Sequence, residues 1–309
     1  ILAERGEKVC ILTRGYGRND PGKRVLVSDG VNILADAAAG GDEPVELAQK
    51  LLGKAIVIAD RDRVAAAEWA KRKFGVTVFV LDDGFQHRRA GRDVDIVCID
   101  ATEIFERERL LPAGRLRERG SNLNRADVAI ITRANLVSAE TIAKLRSEIS
   151  NSIGSEATFI SRYEIVRITP LKDLHAESQG SQSEEQRTAR IWQSMRDTSA
   201  RNNDGRIRIG AFCALGHPAA FFVQLSSEFE QANTADLHLF TTRHFPDHHV
   251  YTQQDIDDLE AQAHSSGVVA FLTTAKDAVK LSDLHFSLPC YVVQIEVIVD
   301  DPDRFSALL

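Results

Sequence analysis

At 309 residues, with 43% hydrophobic and 27% charged side chains, the chain has ordinary globular composition and room for one large domain or two smaller ones. A net charge of -7 argues against a general nucleic-acid binder, and no run of roughly 18 apolar residues is present to span a bilayer as a helix. No signal peptide is visible.

The chain opens on ILAERG (residues 1–6), which reads as the interior of a helix, so the natural N-terminus is expected upstream. Short Val/Ile-rich runs follow at 8–12 (KVCIL), 55–59 (AIVIA), 76–81 (VTVFVL), 95–99 (DIVCI) and 128–132 (VAIIT). Runs apolar on both faces are the mark of a parallel sheet, and the helical stretches at 43–52, 61–74 and from Ser138 onward supply the crossovers. This alternation predicts a doubly wound, mostly parallel α/β domain, in which ligands sit beyond the carboxyl ends of the strands. The segment 157–168 reads as a long strand connecting two domains, drawn at 1–156 and 157–309. Residues 175–205 are polar and read as an insertion with one short helix around 184–195. Alternation resumes with strands at 207–214, 237–240, 268–273 and 291–297 and a helix from Pro218, a second, smaller α/β domain. Cys10, Cys98, Cys213 and Cys290 lie in or beside apolar runs without CxxC spacing, which predicts buried, reduced thiols of a cytosolic protein and no zinc site.

The strongest local signal is VFVLDDGFQHRR, residues 78–89. Two carboxylates, Asp82 and Asp83, end an apolar strand, where such groups can hold a hydrated Mg²⁺ against nucleotide phosphates. Asp-Asp-Gly is also good turn chemistry. Gln86, His87, Arg88 and Arg89 directly after it favour the binding reading. In GGDEP, Asp42 sits at a helix start, where it would serve as an N-cap with Pro44 in the first turn. Six arginines between Arg107 and Arg125 could meet phosphate groups, or form a solvated face balanced by Glu103, Glu106, Glu108 and Glu118.

The motifs also resemble, in order and over nearly the whole chain, those of the tetraacyldisaccharide 4'-kinase (lipid A 4'-kinase) family. The matching segments are LTRGYGR (12–18), GDEP (41–44), DDGFQHRR (82–89), LPAGRLRE (111–118), RADVAIITR (125–133), GHPAAFF (216–222), FPDHHVYT (245–252) and TTAKDAVKL (273–281). Ala275 stands where the family usually has Glu, and His217 where Asn is usual. The resemblance implies a P-loop-kinase-like fold and transfer of the ATP γ-phosphoryl group to the 4'-hydroxyl of an acylated glucosamine disaccharide 1-phosphate.

In that scheme Asp42 is the base and His248 its partner, with the neighbouring His249 the alternative. Asp82, Asp83 and Glu118 handle Mg²⁺, and Arg117, Gln86 and His87 contact the nucleotide. The resemblance also implies a peripheral enzyme on the cytoplasmic face of the bacterial inner membrane, and no nucleic-acid partner. The family's GGTGKT-type phosphate-binding loop should precede ILAERG, yet no GxxxxGK[ST] occurs in these residues. The expectation is therefore an N-terminally truncated chain that binds ATP poorly and has little kinase activity. The competing readings are a non-catalytic remnant of the kinase and another P-loop phosphotransferase.

Overall fold

A computed structural model describes residues 1–103, 109–114, 116–173, 184–197, 205–230, 236–247 and 249–309. In chain order the elements are β1 (Val9–Thr13), β2 (Val25–Ser28), α1 (Ala37–Gly40), α2 (Asp42–Lys50), β3 (Ala55–Ala59), α3 (Arg63–Phe74), β4 (Val78–Leu81) and β5 (Ile96–Asp100). They continue with β6 (Val128–Thr132), α4 (Ala139–Ile153), β7 (Thr158–Pro170), α5 (Glu184–Asp197), β8 (Ile207–Cys213) and α6 (Pro218–Phe229). The last are β9 (Leu237–His244), α7 (Gln253–Ser266), β10 (Val268–Thr274), α8 (Ala275–Ala278), β11 (Cys290–Val299) and α9 (Pro302–Ala307). Residues 1–6 form a turn closed by the Arg5 N–H on the Ile1 carbonyl, where the sequence suggested a helix.

The first sheet has the order β2-β3-β1-β4, with β1 parallel to both β3 and β4 and β2 antiparallel at the edge. Alternate side chains of β1 go to opposite faces. Val9 and Ile11 pack with Val45 and Ala48 of α2, while Cys10 and Leu12 pack with Ala66 and Ala70 of α3. Helices thus cover both faces, as the uninterrupted apolar runs require.

The second sheet runs β5-β6-β7-β11-β10-β8-β9. Here β5, β6 and the start of β7 are parallel, and β11, β10, β8 and β9 form a second parallel set. Strand β7 joins them. Its residues 158–160 pair with β6, and Ser161–Pro170 pair antiparallel with β11. Because β10 meets β11 only over Cys290–Val293, the stretch from Ser161 to Arg167 and its partners Gln294–Val299 form a two-stranded ribbon. Hydrogen bonding therefore crosses the division drawn at residue 156, and the break between sheets falls between β4 and β5.

The polar segment 175–205 contains α5, whose Trp192 and Met195 are buried against β8 and α6; the remainder lies outside the described residues. Among the described residues no helix is long and apolar enough to cross a membrane. Cys10, Cys213 and Cys290 are buried, but Cys98 is exposed. It lies on β5, the edge strand of its sheet, with β6 as its paired neighbour.

Candidate active site

The carboxyl ends of β1, β3 and β4 open on a cleft of about 580 Å³. Five arginines (Arg14, Arg61, Arg63, Arg89 and Arg117) face it against three aspartates (Asp60, Asp62 and Asp83), so its surplus charge is positive. Asp60 is already matched by Arg24 at 2.6 Å, outside the cleft lining. Burial, and next the Arg14 guanidinium, depress the pKa of Arg63. His87 is held below the ordinary imidazole range by burial, then by Arg63 and Arg89, and its buried Nε2 has no hydrogen-bond partner. Cations crowded to this degree are stabilised by an incoming anion, and guanidinium groups suit phosphate oxygens.

The residues of the DDGFQH strand end are placed individually. Asp82 donates its backbone N–H to the Leu12 carbonyl at 3.0 Å, continuing the β1–β4 ladder past β4. Asp83 takes the left-handed conformation, φ 46°, which turns its carboxylate into the cleft. There both oxygens accept from Arg117 Nη1, at 2.7 and 2.6 Å, and Gln86 Oε1 is 3.4 Å from the same nitrogen.

Glu118 meets this cleft only through Gln86, whose side chain it hydrogen-bonds. Its carboxylate accepts from Asn122 at 2.7 Å and from Arg125 at 3.0 Å. Burial pushes its pKa up, but these bonds and the Arg125 charge outweigh that and leave it lowered. Among the described residues no group of three or more His, Cys, Asp and Glu forms a metal-ligand set, and Glu118 is engaged by Asn122, Arg125 and Gln86. Mg²⁺ usually takes one or two carboxylates and completes its shell with phosphate oxygens and water. The adjacent Asp82 and Asp83 at a cationic cleft fit that requirement; Glu118 fits a role in fixing the loop around Arg125.

Asp42 stands beside a second structural device. The helix α2 is capped by Gly41, with φ 96° and ψ 149°, and Asp42 is its first residue rather than the cap. Only glycine can occupy position 41, since a Cβ there would lie 2.9 Å from the Tyr16 carbonyl oxygen. Gly15 is equally constrained, its virtual Cβ falling 2.9 Å from Ala59 Cβ and 3.0 Å from the Gly40 carbonyl. The RGYGR and GGDEP loops thus pack backbone to backbone. Arg18 is buried and donates to the Ala59 and Pro21 carbonyls at 2.8 Å each, a structural task, while Arg14 faces the cleft.

Asp42 forms an ion pair with Lys280, Oδ2 to Nζ 3.0 Å, reaching from α2 to the segment just past α8. The FPDHHVYT loop meets that same segment: Asp247 Oδ1 accepts from Lys276 at 3.0 Å. His248 lies outside the described residues. His249 is fully engaged: its ring stacks on Phe245 with centroids 4.7 Å apart, and Nε2 lies 3.1 Å from Asp255 in the capping box of α7. A histidine so held supports the loop that opens α7. Neither Lys280 nor the cleft residues Asp60, Arg61, Asp62 and Arg63 were singled out from sequence. The last four follow β3 directly, so the strand-end rule could have found them.

A family model described as LpxK, tetraacyldisaccharide-1-P 4'-kinase, matches residues 1–309. The tetraacyldisaccharide 4'-kinase of Halothermothrix orenii is 34% identical over 307 residues, covering 96% of this chain and 73% of that protein. Its counterpart in Anaeromyxobacter dehalogenans strain 2CP-C is 35% identical over 280 residues, covering 91% and 66%. That of Geobacter sulfurreducens is 30% identical, covering 100% and 76%. The chain thus spans 66–76% of the length of these three relatives. A crystal structure of LpxK from Aquifex aeolicus in complex with ATP superposes with a TM-score of 0.64 at 25% identity, covering 99% of this chain and 79% of that one.

Proposed function

This chain belongs to the tetraacyldisaccharide-1-P 4'-kinase family, ATP-dependent kinases of a lipid A precursor, and on that premise we propose how its own residues divide the reaction. The observation that carries the proposal is the placement of Asp42. Its carboxylate stands at the first turn of α2, with a cation of the second sheet 3.0 Å away, on the side where the FPDHH loop approaches. Asp42 accepts the proton of the 4'-hydroxyl as that oxygen attacks. His248, next to Asp247, orients the carboxylate. A positioned base of this kind contributes about 10²–10⁴-fold to rate.

The arginine-lined cleft receives the anionic end of the nucleotide, with Arg117, Gln86 and His87 on its wall. Asp82 and Asp83 would hold Mg²⁺, whose chemistry there is to neutralise charge on the transferring phosphoryl group. The acceptor is an acylated glucosamine disaccharide 1-phosphate, met at the cytoplasmic face of the inner membrane, with Arg109 and Arg119 available to its phosphate or to anionic headgroups.

Because no GxxxxGK[ST] occurs in the 309 residues, activity is measured in a version carrying the family's phosphate-binding loop ahead of Ile1, beside the chain as it stands. Little turnover is expected without the added loop. In the loop-bearing version Asp42→Asn should leave ATP affinity within about threefold and reduce kcat by about 10²-fold or more. Turnover within tenfold of the parent would remove Asp42 from the role of base.

A further inference from the structure

The segment Lys276–Lys280 carries two lysines one turn apart, and each stands beside a carboxylate of a different motif. Lys276 Nζ lies 3.0 Å from Asp247 Oδ1, in the residue before His248. Lys280 Nζ lies 3.0 Å from Asp42 Oδ2, an ion pair by distance without hydrogen-bond geometry. Both ammonium groups are largely shielded, with side-chain exposures of 14% and 15%, so neither is a freely solvated surface charge.

Between them sits Asp277, fully buried, which anchors the turn. Its carboxylate accepts the Ala214 N–H at 3.2 and 3.1 Å and the Thr274 hydroxyl at 2.7 Å, and its own N–H donates to Thr274 Oγ1 at 3.1 Å. The Lys280 N–H closes the turn on the Asp277 carbonyl at 2.9 Å. The pair of cations therefore stands on a base fixed to the ends of β8 and β10.

We infer that Lys280 is a positioning residue for Asp42, and that Lys276 and Lys280 together form a clip setting Asp42 against the loop that carries His248. The inference rests on Asp42 being the base. An ammonium group at this distance favours the ionised carboxylate, the form able to take a proton, and draws it toward the Lys276–Lys280 turn. One turn thus places a cation against both the α2 side and the FPDHH side. Reach and charge at position 280 are what matter, and an arginine supplies both.

The test is kinetic and uses the loop-bearing kinase. Lys280→Met should lower kcat by about 10–100-fold, with the acceptor KM changed less than about threefold, since misplacing a catalytic group costs turnover more than binding. Lys280→Arg should recover most of the loss. The inference is overturned if Lys280→Met keeps kcat within twofold, or if the arginine variant is no better than the methionine one. An active Asp42→Asn would instead overturn the base assignment itself, so the two failures are separate.

If the methionine variant does not fold, reductive methylation read by mass spectrometry on the unmodified chain serves instead. Lys280 should react more slowly than the exposed Lys54, and several-fold faster in Asp42→Asn than in the parent. Equal rates in parent and variant would show that the pair does not hold Lys280 and would overturn the inference.

Discussion

Gly41→Ala is the sharpest single perturbation of the frame that carries Asp42. At φ 96° and ψ 149° the backbone occupies a region open in practice only to glycine, and holding alanine there costs about 1–3 kcal/mol. The new Cβ would lie 2.9 Å from the Tyr16 carbonyl oxygen and 3.2 Å from Pro44 Cδ, contacts with backbone and ring that no side-chain rotation relieves. Alanine also stiffens the unfolded chain, which returns about 0.4–1 kcal/mol. With the overpacking adding about 1–3 kcal/mol, the expected net loss is about 2–4 kcal/mol. Of the two tryptophans, Trp69 lies in α3 beside the first sheet and Trp192 in the second-sheet cluster. Urea unfolding followed by fluorescence in a Trp192→Phe background therefore reports on the sheet concerned. Gly91→Ala, with open space around its Cβ and an ordinary φ, is the control and should be near neutral. A loss below about 1 kcal/mol, or one no larger than the control's, would refute the argument that position 41 is fixed by backbone geometry.

Arg18→Ala removes a buried guanidinium serving two backbone carbonyls and should cost about 2–4 kcal/mol in the same assay. Arg117→Ala breaks a pair whose partners are both more than half exposed, so stability should change by less than about 1 kcal/mol, while tripolyphosphate affinity measured by calorimetry falls. His87, its pKa depressed by burial and then by Arg63 and Arg89, gains its charge below the ordinary imidazole range. Since that charge faces an anion site, tripolyphosphate affinity should rise more steeply with falling pH in the parent than in His87→Gln, as titrations across that range would show. Of the four cysteines, Cys98 should react first with a thiol reagent in the native protein, and Cys98→Ser should abolish the fast phase.

The strands that bear the site were legible because parallel strands buried on both faces leave uninterrupted apolar runs, as AIVIA at β3 does. Strand β2 was not legible: four residues at an antiparallel edge carry too little pattern. Helix α7 escaped for a related reason, since its buried stripe is confined to Ile256, Leu259, Glu260 and Ala263 among polar neighbours. At the site, Asp83 was found from its strand end, but its capture by Arg117 depends on a loop 34 residues away. Glu118 was grouped with the metal carboxylates by resemblance, and only the positions of Asn122 and Arg125 show what engages it. Lys280 looked like any helix-end lysine, because its partner is distant in sequence and belongs to the other sheet.

The ribbon of β7 and β11 limits how the β5-β6 side and the β10-β8-β9 side of the second sheet can part. A slip of one residue would send every side chain of the ribbon to the opposite face, and pulling the strands apart would forfeit their ladder bonds. Torsion about the ribbon's length remains, and two-stranded ribbons twist more readily than wide sheets. The register shift between Gln294 and Ile295 places a natural swivel within it. The ribbon is thus a torsion bar between the two halves of the second sheet, with their separation fixed by its ladder and their angle the softer coordinate.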